Sequence, residues 1–278
     1  MRLAISNIAW DISEDEDVAK LLRRFKIDAI DIAPGKYFPD PSKATAEDVA
    51  QVKQWWASRG IYITGMQALL FGTVGLNVFG SNEVQLALLQ HLTAICKIGA
   101  GLDATRIVFG SPKNRDRTGL TDEQALAIAM PFFRHLGDIA TAHGVIICLE
   151  PNPTCYGANF MTTTVETAEV VRKIAHSAIR MQLDTGAITI NGEDTIAILA
   201  DYVSLIGHVH ASEPALAPLG DNGADHANIA ISLSKYLPES IVTIEMVATI
   251  DEPHLVSIER ALSVATQTYQ NIKYGSQA

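Results

Sequence analysis

Eight short runs rich in aliphatic and β-branched residues recur along the 278 residues, and each is followed by a segment whose apolar residues return every three or four positions. The runs are LAISNIAW (3–10), AIDIAP (29–34), IYITGMQ (61–67), TRIVFGS (105–111), VIICLEP (145–151), RMQLDTG (180–186), LIGHVHAS (205–212) and IVTIEMV (241–247). Between them lie helical patterns such as AEDVAQVKQWWASRG and HANIAISLSKYL, and the last pattern, HLVSIERALSVATQTYQNI, spans 254–272. Thr121 with Gln124 has the spacing of a capping box, while Gly60 and Gly144 stand where a helix must stop. Strict alternation without a long Pro-, Ser- or charge-rich linker gives parallel βαβ units. Eight of them in this length predict an α/β chain closed into a (β/α)8 TIM barrel, one domain over 1–278. The rival is an open doubly wound sheet, but no Gly-rich dinucleotide fingerprint follows the first run.

Charge and cysteine usage narrow the function classes. A net charge of −10 argues against nucleic acid, because affinity for phosphate backbones comes from Lys and Arg. Cys96, Cys148 and Cys155 are an odd set without metal-site spacing, which fits reduced thiols in a cytoplasmic protein. No apolar run approaches the length of a membrane span, and Ser6 and Asn7 interrupt the only N-terminal stretch that could pass for a signal peptide.

The mouth of such a barrel lies at the C-terminal strand ends, where polar residues read as chemistry rather than packing. Glu150 closes the fifth run, Asp184 the sixth, His208 and His210 lie in the seventh and Glu245 in the eighth. Alternation turns His208 and His210 to one side with Val209 opposite. Carboxylates brought together in a barrel interior repel and are costly to bury unless a cation neutralises them. Three carboxylates and one imidazole with room for substrate suit Mn²⁺ or Mg²⁺, with Co²⁺ or Zn²⁺ as substitutes; a closed zinc site would favour Cys or more His.

CLEPNP, QLDTG, HVHASEP and TIEMV, in this order, resemble the motifs of the sugar-phosphate isomerase/epimerase superfamily, the xylose-isomerase-like barrels that include ketose 3-epimerases, hydroxypyruvate isomerase, inosose dehydratase and endonuclease IV. The resemblance spans nearly the whole chain. It implies a metal held by Glu150, Asp184, His210 and Glu245, with Glu150 and Glu245 also exchanging protons with a sugar or sugar-phosphate substrate. Two departures count against ketohexose 3-epimerisation itself. Ala187 stands where epimerases commonly carry a substrate-binding His after Asp-Thr-Gly, and SEPALAPLG has no Arg. Endonuclease IV is excluded because DIAPGKYF, MQALLFG and FGSPKNRDR lack the further ligands that its three zincs require.

The expected chemistry is proton removal next to a carbonyl through a metal-stabilised enediolate, with a carboxylate on each face. Return of the proton to the other face epimerises, and return to the neighbouring carbon isomerises. Expulsion of a β-hydroxyl would make the chain a dehydratase, and loss of turnover would leave a sugar-binding barrel. Further candidates surround this centre. Lys113 and Arg115, with Arg117, could hold a substrate anion or form a solvated basic loop. His226 could reach substrate or cap a helix. Trp10 could stack on a sugar face or sit in the core. Residues 69–80, with Phe71, Leu76 and Phe79, read as an apolar lid or as a contact in a homo-oligomer. Trp55, Trp56, His91, His135, His143 and His176 read as packing residues on helices.

Overall fold

In a computed structural model that describes residues 1–270, the eight expected strands close into one parallel barrel in sequence order. They are β1 (Arg2–Ser6), β2 (Ala29–Ile32), β3 (Tyr62–Met66), β4 (Arg106–Phe109), β5 (Ile146–Leu149), β6 (Ile179–Asp184), β7 (Ile206–Ser212) and β8 (Ile241–Glu245). Closure is made by β1 against β8, in register from Arg2 opposite Ile241 to Ile5 opposite Ile244. A parallel sheet is covered on both faces, which is why Ala29–Ile32 is buried at every position and why these runs are predominantly apolar.

The helices begin and end where their punctuation directs. Thr121 accepts from the Gln124 N–H and Gln124 reaches back to the Thr121 N–H, opening the helix Asp122–Ala142; Thr45 and Asp48 do the same for Ala46–Ala57. Gly60 and Gly144 take φ of 74° and 69°, the left-handed turns that end these helices cheaply only without a Cβ. Helix faces then pack the barrel wall: Phe133 stands edge-on to Phe109 of β4 at 5.5 Å between centroids. Each such fully buried aromatic or aliphatic side chain contributes roughly 1.5–3 kcal/mol relative to exposure.

Three local expectations change. The first strand stops at Ser6, and a 3-10 turn at Asn7–Ala9 carries the chain into the core instead of on to a strand end at Trp10. A short helix, Thr185–Asn191, follows β6 directly because Asp184 caps it, accepting from the Ala187 N–H. The last helix runs His254–Ala265 and widens into a π turn at Thr266–Gln270; residues 271–278, where the last helical pattern and the domain expectation end, lie outside the described residues.

Inside the barrel, beneath the mouth, lies a polar layer. Asp31 of β2 pairs with His208 Nε2 of β7 at 2.7 Å and accepts from Thr243 Oγ1 of β8 at 2.8 Å and Thr64 Oγ1 of β3 at 2.9 Å. Gly65 leaves the room, since a Cβ there would lie 2.7 Å from the Asp31 carboxylate. Register shifts between Ile30 and Asp31 and between Met181 and Gln182 re-aim the strands that deliver Asp31 and Asp184. Among the described residues, no helix is long and apolar enough to cross a membrane.

Candidate metal centre

Glu150 stands one residue past β5, where Pro151 stops the ladder, and its main chain is held at both ends. Its N–H donates to Phe109 O at 3.2 Å and its carbonyl accepts from Arg115 Nη1 at 2.7 Å. Asp184 ends β6, with Oδ1 accepting from the Ala187 N–H at 2.6 Å and Oδ2 from Ser212 Oγ at 2.7 Å. Glu245 ends β8, and its Oε1 accepts from Gln67 Nε2 at 2.6 Å. His210 of β7, fully buried, points Nδ1 between the two glutamates, 3.3 Å from Glu150 Oε1 and 3.1 Å from Glu245 Oε2. One donor atom from each of the four residues lies within 4.8 Å of the others.

This donor set fits a divalent ion. Glu150 Oε1 and His210 Nδ1 are buried and aligned with no hydrogen-bond partner, although both face the same point. Burial first, and then the charges of Glu245 and Glu150, push the Asp184 carboxyl up to about 8. Burial alone would depress His210, but Glu245 and Glu150 hold it well above the usual imidazole range. Both shifts express the negative charge that the carboxylates concentrate, and a cation at that point would neutralise it in place of a proton.

Gly110 makes the geometry possible, because a Cβ on it would come within 1.9 Å of Glu150 Oε2. Gly110→Ala should fold, since the carboxylate can swing away, but that swing removes Glu150 from the centre. Metal titration of the variant is expected to show affinity reduced about tenfold or more, in line with losses on disturbing ligand orientation; unchanged affinity would mean that Glu150 does not ligate.

Above the four residues opens a cavity of about 580 Å³, within the range of roughly 300–1,000 Å³ usual for small-ligand sites. Its lining includes Glu150, Asp184 and Glu245, the loop residues Leu69, Leu70 and Phe71, and residues from the loops after β4, β5 and β7. The other expected residues lie elsewhere. His208 is in the layer below, spent on Asp31. Trp10 is fully buried, its N–H donating to Asp15 at 2.7 Å and its ring edge-on to Trp56. Arg115 is fully buried under Glu150, and Lys113 is exposed beyond the last cavity residue of its loop, Pro112. Of the 69–80 loop, Leu69, Leu70 and Phe71 line the cavity, whereas Phe79 stands edge-on to Phe160 at 5.0 Å and does not line it.

His226 caps nothing and does not line the cavity. Tyr269 Oη lies 2.6 Å from its Nδ1, and its Nε2 lies 3.2 Å from Glu213, whose carboxylate also accepts from the N–H groups of Gly220 and Ala224. Asp225 supplies the helix cap instead. Burial lowers the His226 pKa below 6.5 despite the neighbouring Glu213 charge. The folded state therefore refuses a proton that the unfolded chain accepts, so stability conferred by the neutral ring is present above about 6.5 and falls as the pH drops below it. The melting-temperature advantage of wild type over His226→Gln should shrink between pH 7.5 and 5.5; an advantage independent of pH would show that the ring is not held neutral.

Residues that sequence reading missed complete the centre: Gln67 and Asn152, each donating to one glutamate, and Ser212 on Asp184. Ser212 continues the alternation of His208 and His210 and was legible in HVHAS; Gln67 and Asn152 carry no spacing signal.

Residues 19–246 match the family model of the xylose isomerase-like TIM barrel, and the chain belongs to that family. No protein of curated function matches it in sequence. Among solved structures it is similar to D-psicose 3-epimerase of Clostridium cellulolyticum H10, solved with D-tagatose, at 18% identity over 97% of this chain and 99% of that one, TM-score 0.80. It is similar also to a 3-keto-D-glucoside 4-epimerase of E. coli, at 16% over 96% and 99%, TM-score 0.78. An L-ribulose 3-epimerase shares 15% over 97% and 94%, TM-score 0.80. At these identities the likeness bears on the fold.

Proposed function

We propose that the chain is a divalent-metal-dependent isomerase or epimerase of a sugar or related hydroxy-carbonyl compound, with Mn²⁺ or Mg²⁺ as the ion. One observation carries this reading: Glu150 and Glu245 reach the same cavity from β5 and β8, with His210 Nδ1 3.3 and 3.1 Å from their oxygens. The named activities of the three structural neighbours reported above, each a sugar epimerase, agree with it.

A metal at Glu150, Asp184, His210 and Glu245 would supply a Lewis acid for the oxygen that gains charge when an α-proton leaves. The chain supplies the rest. Each glutamate is oriented by a carboxamide, Glu245 by Gln67 at 2.6 Å and Glu150 by Asn152 at 3.3 Å, so each presents its carboxylate in a fixed direction. Two bases on separate strands serve the two faces of a carbon between them, and one removes the proton that the other returns. The pair Ser212 and the Ala187 N–H holds Asp184 away from this exchange, as a ligand.

The test is proton NMR in D₂O with metal-loaded protein and a panel of ketoses, sugar phosphates, inososes and hydroxypyruvate. Deuterium entering the carbon beside a carbonyl supports the reading. Loss of water without exchange into recovered substrate would make the enzyme a dehydratase, and neither reaction with any compound would leave a binding barrel.

A further inference from the structure

We infer that the substrate is uncharged and presents an apolar, oxygen-poor end to a wall formed by Tyr156, Ala187, Ala215 and Leu216. The inference rests on the isomerase reading for the word substrate, but not for the wall. Among the described residues, no Lys, Arg or His lines the cavity, whereas Glu150, Asp184, Glu213 and Glu245 do. A divalent ion among three ligand carboxylates leaves that floor negative, so an anionic group finds repulsion and no counter-charge. Of the cations nearby, Lys36 donates to the carbonyls of Asn7 and Trp10, Arg115 to that of Glu150, and Arg117 pairs with Asp122 and Asn159, while Lys113 is exposed one residue past Pro112 and does not line the cavity.

Hydroxyl-binding groups are equally scarce. The polar side chains Gln67, Ser111 and Asn152 at the cavity donate to Glu245, Asn114 and Glu150, and the Gln67 Oε1 left without a partner belongs to the carboxylate floor beside Glu245. A polyol chain laid in this space would give up hydrogen bonds to water and recover few, which is the situation in which a site prefers the deoxygenated analogue.

The wall is built. Ala215 and Leu216 are consecutive non-glycine residues in the left-handed region, at φ of 59° and 52°, a conformation that persists only when the surroundings impose it. Three loops impose it here. The Ala215 N–H donates to Tyr156 Oη at 2.7 Å, the Leu216 N–H to Glu213 O at 3.0 Å, and the Val247 N–H to Leu216 O at 3.0 Å. Tyr156 is thus anchored by its hydroxyl to the same loop, and Tyr156, Ala215 and Leu216 line the cavity with Ala187, in the first turn of the helix that Asp184 caps.

The experiment uses Mn²⁺-loaded protein and three probes: a neutral ketohexose, its 6-deoxy counterpart and its 6-phosphate. Binding by calorimetry and deuterium exchange are read separately. The 6-deoxy compound should bind at least about tenfold more tightly than the parent, the discrimination an apolar pocket typically gives, and the phosphate should be the weakest. Leu216→Asn, which suits the left-handed backbone and should fold at least as well, is expected to erase most of the 6-deoxy preference. Equal binding of parent and 6-deoxy compounds, preference for the phosphate, binding of none of the three, or an Asn variant with undiminished selectivity overturns the inference. A 6-deoxy preference in binding with no exchange of any probe would instead overturn the isomerase reading and leave the wall's selectivity standing.

Discussion

Glu245→Gln and Glu150→Gln, assayed with saturating Mn²⁺, are each expected to lower net conversion by about 10²–10⁴, the usual contribution of a positioned general acid or base. Glutamine keeps the shape and one oxygen donor, and the supporting amides survive: Gln67 Nε2 can still donate to the remaining carbonyl oxygen at position 245, as it now does to Glu245 Oε1 at 2.6 Å. What is lost is the basicity. On the two-base reading proposed above, each glutamate serves one face, so the two losses should differ in kind. Where the surviving base serves the face carrying the proton, exchange with D₂O should continue although no product of inverted configuration forms. A variant that keeps near-wild-type turnover with metal bound would show that its glutamate is a ligand only, and two-base chemistry would then be untenable.

The four residues of that centre were readable because a barrel makes strand ends converge, so Glu150, Asp184, His210 and Glu245 needed only to be located at the ends of apolar runs. Depth was not readable. Alternation put His208 on the same side as His210, correctly, but two residues along a tilted strand is the difference between the cavity floor and the layer below, where Asp31 pairs with it. The partner of that pair comes from β2, on the other side of β8 and β1 in the closed order, and nothing local in AIDIAP announces it. Arg115 failed for a related reason. Its spacing places it in the loop after β4, but whether a guanidinium reaches outward to substrate or folds back is a tertiary matter; here it folds back on to the Glu150 carbonyl, with Nε and Nη2 buried without a partner. Burial pulls its pKa down to about 10, and the nearby charges of Glu150 and Glu166 favour the protonated form. Arg115 thereby supports the candidate centre from below instead of extending it. Trp10 shows the limit of strand reading: LAISNIAW is apolar enough to continue, but Ser6 Oγ accepts from the Ile8 N–H and turns the chain.

Metal added to chelator-stripped protein should raise its melting temperature by about 5–10 °C at a hundredfold excess over Kd, since binding confined to the native state contributes about 2.7 kcal/mol there and each kcal/mol moves a chain of this size by roughly 2–4 °C. The physical origin is in the acids themselves. Asp184, pushed up to about 8 by burial and by Glu245 and Glu150, is poorly accommodated as an anion until a cation joins it. Two variants separate the ligand from its structural duties. Asp184→Ala removes the acceptor for the Ala187 N–H and for Ser212 Oγ together with the charge, so it sacrifices a helix cap, about 1 kcal/mol, while it relieves repulsion. Asp184→Asn keeps an oxygen for the cap and loses the charge, with an amide nitrogen in place of the oxygen that accepts from Ser212 Oγ. The Asn variant stripped of metal is therefore expected to melt higher than stripped wild type, and the Ala variant lower than the Asn variant. Both should bind Mn²⁺ more than about tenfold more weakly, as removal of a ligand from a four-donor set implies, and both should lose most of the metal-induced rise. Unchanged affinity in either variant would remove Asp184 from the centre. A stripped Asn variant that melts below stripped wild type would mean that Asp184 is not strained as an anion, and that the acids at these strand ends are arranged for one another rather than for a cation.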